Sequence, residues 1–189
     1  MVIVFVRKIE NLPDAEKQNI ISSLSSSALK RLESKRNKRL YNASLCALSL
    51  LSDMQRAALD YADGGRPFFK DLDTDISISH SASYTAVALS QSAQSPVGVD
   101  IEDAIEKSPS TRFLTENERL ALEGGTPYLN IWTKKEALFK FLKNDSTPFI
   151  HLDSTAPELH GAKFVTVAVD SAILTVCAKP HELIKIIEK

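Results

Sequence analysis

The feature that most constrains this chain is an order of patterns that occurs twice. Residues 2–7 are β-branched and aromatic and read as a strand. Helical patterns follow over residues 14–24, 28–39 and 43–62. The last of these places Leu45, Leu48, Leu51, Met54, Ala58 and Tyr61 at spacings of three and four, which buries one face of a helix. Gly64-Gly65-Arg66-Pro67 stops it, and short β-like runs come next at residues 68–69, 75–80 and 84–90. A strand over residues 96–102 then opens a second succession, with helical patterns at 109–114, 115–122 and 126–143. Two strands at 163–170 and 172–179 close it, and residues 181–189 read as a short helix or a frayed end. This order predicts an α+β protein of two similar halves, residues 1–95 and 96–189, although no sequence repeat is visible.

Charge excludes some partners. With 23 Lys+Arg against 24 Asp+Glu the net charge is −1, so no global excess points to nucleic acid or an anionic membrane. Any anionic ligand has to be held by a local basic patch. Cys46 and Cys177 both lie in apolar runs and no CxxC occurs, which predicts a reducing, cytoplasmic setting without a disulfide framework. The apolar opening is broken at once by Arg7-Lys8, too early for a signal-peptide core, and no run approaches the roughly 20 apolar residues of a membrane helix.

Four groups carry chemistry. In Val97-Gly98-Val99-Asp100-Ile101-Glu102, strand alternation puts both carboxylates on one face, where they can share a hard cation such as Mg²⁺. By itself such a pair is more commonly a solvated acidic face. In residues 132–140, Trp132, Glu136 and Lys140 are four apart and line one helix face. An i,i+4 surface pair is the plain alternative, but an aromatic, an acid and a base on one stripe suit a site wall or an interface. The run Ile76-Ser77-Ile78-Ser79-His80-Ser81 ends a strand in hydroxyls and an imidazole, a cluster that suits a phosphate oxygen and equally a turn or cap. Gly65-Arg66-Pro67 reads as a turn, with nothing in its composition that demands a ligand.

Taken in order, these groups resemble the 4′-phosphopantetheinyl transferase superfamily, in its longer form that serves peptide and polyketide synthases. That family shows a Gly-Lys/Arg-Pro turn, a Ser-His-Ser strand end, a Gly-x-Asp-x-Glu strand and a Trp-Ser/Thr-x-Lys-Glu-Ala/Ser-x-x-Lys helix. Here they are residues 65–67, 77–81, 98–102 and 132–140, with Arg112-Phe113-Leu114 between the last two. The resemblance implies a fold of two α+β halves packed as a pseudo-dimer in one chain, hence a monomer. It implies transfer of the phosphopantetheine arm of coenzyme A to a serine of an apo acyl or peptidyl carrier protein, with release of adenosine 3′,5′-bisphosphate.

Residue by residue, the resemblance implies Mg²⁺ held by Asp100, Glu102 and Glu136. Lys140 would stabilise the phosphates, and Glu136, directly or through water, would take the serine proton. His80 would meet the 3′-phosphate and Ser79 a pyrophosphate oxygen, Arg66 and Pro67 would flank the adenine, and Lys135 would be a second phosphate ligand. Among Lys30, Arg31, Lys35, Arg36, Lys38 and Arg39, some would add charge at the 3′-phosphate. Arg112 and Phe113 would meet the carrier. One departure stands out: residues 44–51 carry no basic residue, where relatives place an arginine for the 3′-phosphate. A neighbour then substitutes, or the chain is a coenzyme A- or nucleotide-binding protein of the same fold without transferase activity.

Overall fold

The computed structural model describes residues 1–103, 110–143 and 147–189. The first half begins with β1 (Val2–Lys8), followed by α1 (Asp14–Ser22), α2 (Ser26–Glu33), α3 (Lys38–Ser49) and α4 (Asp53–Ala58). A small hairpin of β2 (Leu59–Tyr61) and β3 (Pro67–Phe69) leads to β4 (Ile76–His80) and β5 (Tyr84–Ser90). The second half has β6 (Val97–Asp103), α5 (Glu116–Glu123), α6 (Tyr128–Leu142), β7 (Lys163–Val169) and β8 (Ala172–Ala178). Last comes β9 (Ile184–Glu188).

The two successions fold alike. In the first, β1 pairs antiparallel with β5 and β5 with β4; in the second, β6 pairs antiparallel with β8 and β8 with β7. Each half is thus a strand, a helical block and a hairpin whose second strand returns beside the first. The alternation of β1 explains how the halves meet. Val2, Val4 and Val6 face one way, into a core shared with Ala86, Ala88, Val97, Val99, Ile101, Leu174 and Val176. Phe5 faces the helices of the first half, among Leu45, Leu48, Ile76 and Val87. Burying such side chains contributes about 1.5–3 kcal/mol each, so sequence alternation alone drives the sheets together and the helices outward.

Several elements differ from expectation for local reasons. The expected helix over residues 28–39 breaks after Glu33, because Asn37 caps a new helix by accepting from the amides of Arg39 (2.8 Å) and Leu40 (3.4 Å). The expected helix over 43–62 ends at Ser49 and restarts at Asp53, since Ser52 and Gln55 form a reciprocal capping box. Arg56, 4% exposed, seals that break by donating to Leu48 O (3.3 Å) and Leu51 O. Of the helix expected over 109–114 only a 3₁₀ turn at Thr111–Phe113 forms, and residue 109 lies outside the described residues. The C-terminal segment is neither a helix nor frayed. It is β9, parallel to β1, so the last strand of the chain completes the sheet of the first half.

The halves also meet along strand edges. The edge of β6 lies beside β4, and side chains satisfy its backbone. Val97 N donates to Asp75 Oδ2 (2.9 Å) and Val99 N to Ser77 Oγ (3.1 Å), while Val99 O accepts from Lys140 (3.1 Å). Paired in this way, a buried strand edge carries no desolvation penalty. Among the described residues, no helix is long and apolar enough to cross a membrane.

Candidate active site

Gly98 determines how near α6 comes to β6. A Cβ at this position would lie 2.7 Å from Phe141 N and closer still to Ala137 O, so only a glycine lets the helix backbone rest on the strand. Strand alternation puts Asp100 and Glu102 on the same face as Gly98, toward the helix. Helical spacing puts Glu136 and Lys140 on the side of α6 that meets them.

The result is a compact polar cluster where β4, β6 and α6 meet. Asp100 is 3% exposed. Its Oδ1 accepts from Ser79 Oγ (2.7 Å) and pairs with Lys140 Nζ (2.7 Å). Lys140 Nζ also reaches Ser79 Oγ at 3.1 Å. Burial pushes the Glu102 carboxyl up to about 7, with the charges of Asp100 and Glu136 adding to the shift and Lys140 and the Trp132 side chain opposing it. Burial likewise raises Glu136, opposed by Lys140 and reinforced by Asp100. Three carboxyl groups therefore feel one another's charge beside a single lysine.

This donor set suits a hard divalent cation. Carboxylate oxygens are its preferred ligands, and Asp100 Oδ2 is buried without a hydrogen-bond partner. The ligand shell is not assembled in advance: among the described residues no three His, Cys, Asp or Glu side chains stand close enough to hold one ion. Asp103, next to the cluster, anchors Ser83 N through Oδ2 (2.9 Å), and its Oδ1 is also buried and unpartnered.

A crevice of separate hollows lies beside this cluster. One, in the first half, is a pocket walled by Leu48, Tyr61, Pro67 and Ile78, with Arg31, Lys35 and His80 among its lining. An adjoining hollow is lined by Arg39, His80, Ser81, Glu102 and Asp103. Burial and the repulsion of Lys140, Lys35 and Arg39 hold His80 below the usual histidine range. The break between α2 and α3 brings Lys35 and Arg39 here, something no helical periodicity over residues 28–39 could show. Arg31 stacks its guanidinium 4.4 Å over Tyr61 and donates to Gly65 O (3.1 Å).

Beyond the carboxylates, Trp132 stacks on Tyr128 (6.0 Å between centroids) and meets Phe113 and Phe149 at 6.3 and 5.7 Å. Phe139, 47% exposed, joins through Phe149. Arg112 lies 4.4 Å from the Phe113 ring.

Two expected ligands sit elsewhere. Lys135 has no exposed surface: its ammonium pairs with the equally buried Glu118 (2.8 Å) and donates to Leu152 O. One residue before Glu136, it is rotated about 100° around the helix and points into the second half, so no phosphate can reach it. Arg66 flanks the crevice with its backbone, but its guanidinium donates to Lys140 O, Val97 O (3.3 Å) and Asp75 (3.4 Å). The edge contacts of Asp75 and Ser77 were missed by sequence reasoning, and Lys35 and Arg39 were not told apart from the other basic residues of 30–39. For Glu118, the Thr115-x-x-Glu118 capping box was a usable signal of a fixed carboxylate.

Residues 96–181 match the family model of the 4′-phosphopantetheinyl transferase superfamily. By this match the second half of the chain carries a domain of that superfamily. No curated protein matches the chain. The matched transferase domain contains β6, α5, α6, β7 and β8, and with them Asp100, Glu102, Glu136 and Lys140. Ser79, His80 and the basic side chains of the pocket come from the half outside the match.

Proposed function

We propose that the chain transfers the 4′-phosphopantetheine arm of coenzyme A to a serine of an apo acyl or peptidyl carrier protein, as a member of the longer, pseudo-dimeric form of its superfamily. The observation that carries this reading is the cluster of Asp100, Ser79 and Lys140, hydrogen-bonded together beside Glu102 and Glu136, with Arg39 and His80 lining the hollow at Glu102. The repeated strand order of the two halves supports the pseudo-dimeric form.

In this reading the 3′-phosphate lies against His80, Lys35 and Arg39, which together supply the charge that residues 44–51 lack. The adenine lies against Tyr61, Pro67 and Ile78. Asp100, Glu102 and Glu136 would hold Mg²⁺, which supplies Lewis-acid relief of charge on the pyrophosphate. Lys140 offers its ammonium, and Ser79 its hydroxyl, to phosphate oxygens whose charge grows as the bond to the leaving phosphate breaks. Glu136, raised by burial, accepts the proton of the incoming serine through an intervening water. The serine oxygen forms the new bond to phosphorus, and adenosine 3′,5′-bisphosphate departs with the electron pair of the broken P–O bond. The aromatic wall around Trp132, with Arg112 at its rim, faces the side from which the carrier approaches.

Intact-mass spectrometry of apo acyl and peptidyl carrier proteins incubated with coenzyme A and Mg²⁺ tests this. A gain of one phosphopantetheinyl group is expected. The second reading, a coenzyme-binding protein without turnover, is favoured by the absence of an assembled ligand shell among the described residues. Tight binding of coenzyme A by calorimetry, with no mass gain on any carrier, would replace the first reading with the second.

A further inference from the structure

The last carbonyls of a helix have no partners within it and must find them elsewhere. In α6 the carbonyl of Lys140 finds one in the other half of the molecule, in Arg66 Nη1. Resting on the transferase reading above, we infer that Arg66 is a positioning residue: it fixes the final turn of α6, and so the side chain of Lys140, and does not grip the coenzyme.

The surrounding network supports this. Arg66 Nη2 donates to Val97 O at 3.3 Å and to Asp75 Oδ2 at 3.4 Å. Asp75 is 5% exposed; its Oδ2 also accepts from Val97 N (2.9 Å), and its Oδ1 pairs with Lys143 Nζ (2.8 Å), the residue that ends α6. The start of β6 and the end of α6 are thus held by one guanidinium and one carboxylate, both from the first half. A cation at a helix C-terminus is also electrostatically favoured. The neighbours of Arg66 reach the basic pocket as well: Gly65 and Pro67 line it, and Gly65 O accepts from Arg31 in the pocket wall. One three-residue turn therefore touches the nucleotide pocket with its backbone and the catalytic helix with its side chain. Binding energy gained at the nucleotide end can then be used to orient Lys140, the use of remote binding that raises turnover and not affinity.

The test compares Arg66→Met, which keeps the stem and removes the guanidinium, with Arg66→Lys. Three quantities are read: the dissociation constant of coenzyme A by calorimetry, the single-turnover transfer rate at saturating coenzyme, and hydrogen exchange of the amides near residues 138–142. For Arg66→Met the account expects a dissociation constant within about threefold of wild type, a rate lowered by about 10–100-fold, and faster exchange in the last turn of α6. Arg66→Lys should recover part of the rate. Coenzyme binding weakened tenfold or more, with saturated rate and exchange unchanged, would make Arg66 a ligand contact and overturn the inference. If Arg66→Met does not fold, Arg66→Lys carries the same comparison. Should the wild-type chain transfer nothing, the transferase reading fails, while binding and exchange still report on Arg66 alone.

Discussion

Lys135 and Lys140 stand five residues apart on one helix and have opposite fates. Lys135 has no exposed surface and donates to Glu118 and Leu152 O, with the Phe149 ring 5.4 Å away. Glu118 is fully paired as well as buried: Thr115 N (2.8 Å), Ser154 N (3.0 Å) and Ser154 Oγ (2.8 Å) occupy its remaining acceptor sites. Lys140 keeps a quarter of its side chain exposed and faces carboxyl groups that are crowded and partly unpaired. A charge sealed from solvent together with its counter-ion cannot reach a ligand, so the Lys135 face of α6 is scaffold. A partly exposed charge among incompletely satisfied carboxyl groups can, so the Lys140 face is where we propose the chemistry.

The contrast can be broken by mutation. The largest stability effect is expected from Lys135→Met, which strands Glu118 in the interior. Loss of one partner of such a pair costs about 3–5 kcal/mol, to be read by urea denaturation. Adding Glu118→Leu should recover most of that loss, because the stranded charge is then gone; no recovery would mean the pair is not the isolated unit described. Next comes Gly98→Ala, which must push α6 away from β6. Overpacking of this kind costs about 1–3 kcal/mol and should lower the transfer rate at saturating coenzyme as well, since it separates Lys140 from Asp100.

Smaller effects sharpen the picture of the crevice. Lys35→Ala and Arg39→Ala should each weaken binding of adenosine 3′,5′-bisphosphate on the order of tenfold, the usual worth of one charge-assisted contact, and leave melting unchanged. The smallest effect is thermal. The folded Glu102 carboxyl keeps its proton up to about pH 7, while the unfolded chain releases it near the ordinary carboxylate value of 4.5. Folding therefore binds a proton in that window, and the stability due to this group falls as pH rises through it. A divalent cation needs the ionised form. Mg²⁺ should accordingly raise the melting temperature by a few °C at pH 8 and by less at pH 5.5. An equal shift at both values would remove Glu102 from the cation site.

Sequence patterning made much of this legible where the interactions are local. Residues 84–90 were read as a strand and are β5, and the expected helix over 115–122 matches α5 to within a residue. The Asp100–Glu102 alternation and the Trp132–Glu136–Lys140 spacing each placed residues on one face of one element, and those faces meet. What escaped depends on partners far away in the chain. Ile184–Glu188 is a strand because β1, at the other end, offers an edge to pair with. Lys135 and Arg66 are ligands by the family resemblance, yet Glu118 and Asp75 claim them through contacts that no spacing encodes. Which of the six basic residues of 30–39 face the pocket was hidden by a helix break whose cause is one residue, Asn37.

Glu136→Gln gives the most direct test, because the account assigns it effects of opposite sign. Glutamine keeps the shape and removes one charge from the crowded carboxyl set, so the melting temperature should hold or rise. The single-turnover rate of transfer to an apo carrier protein should fall by about 10²-fold or more, the usual share of a proton acceptor. Transfer at the wild-type rate by a folded Glu136→Gln chain would contradict the assignment of this face of α6 to catalysis.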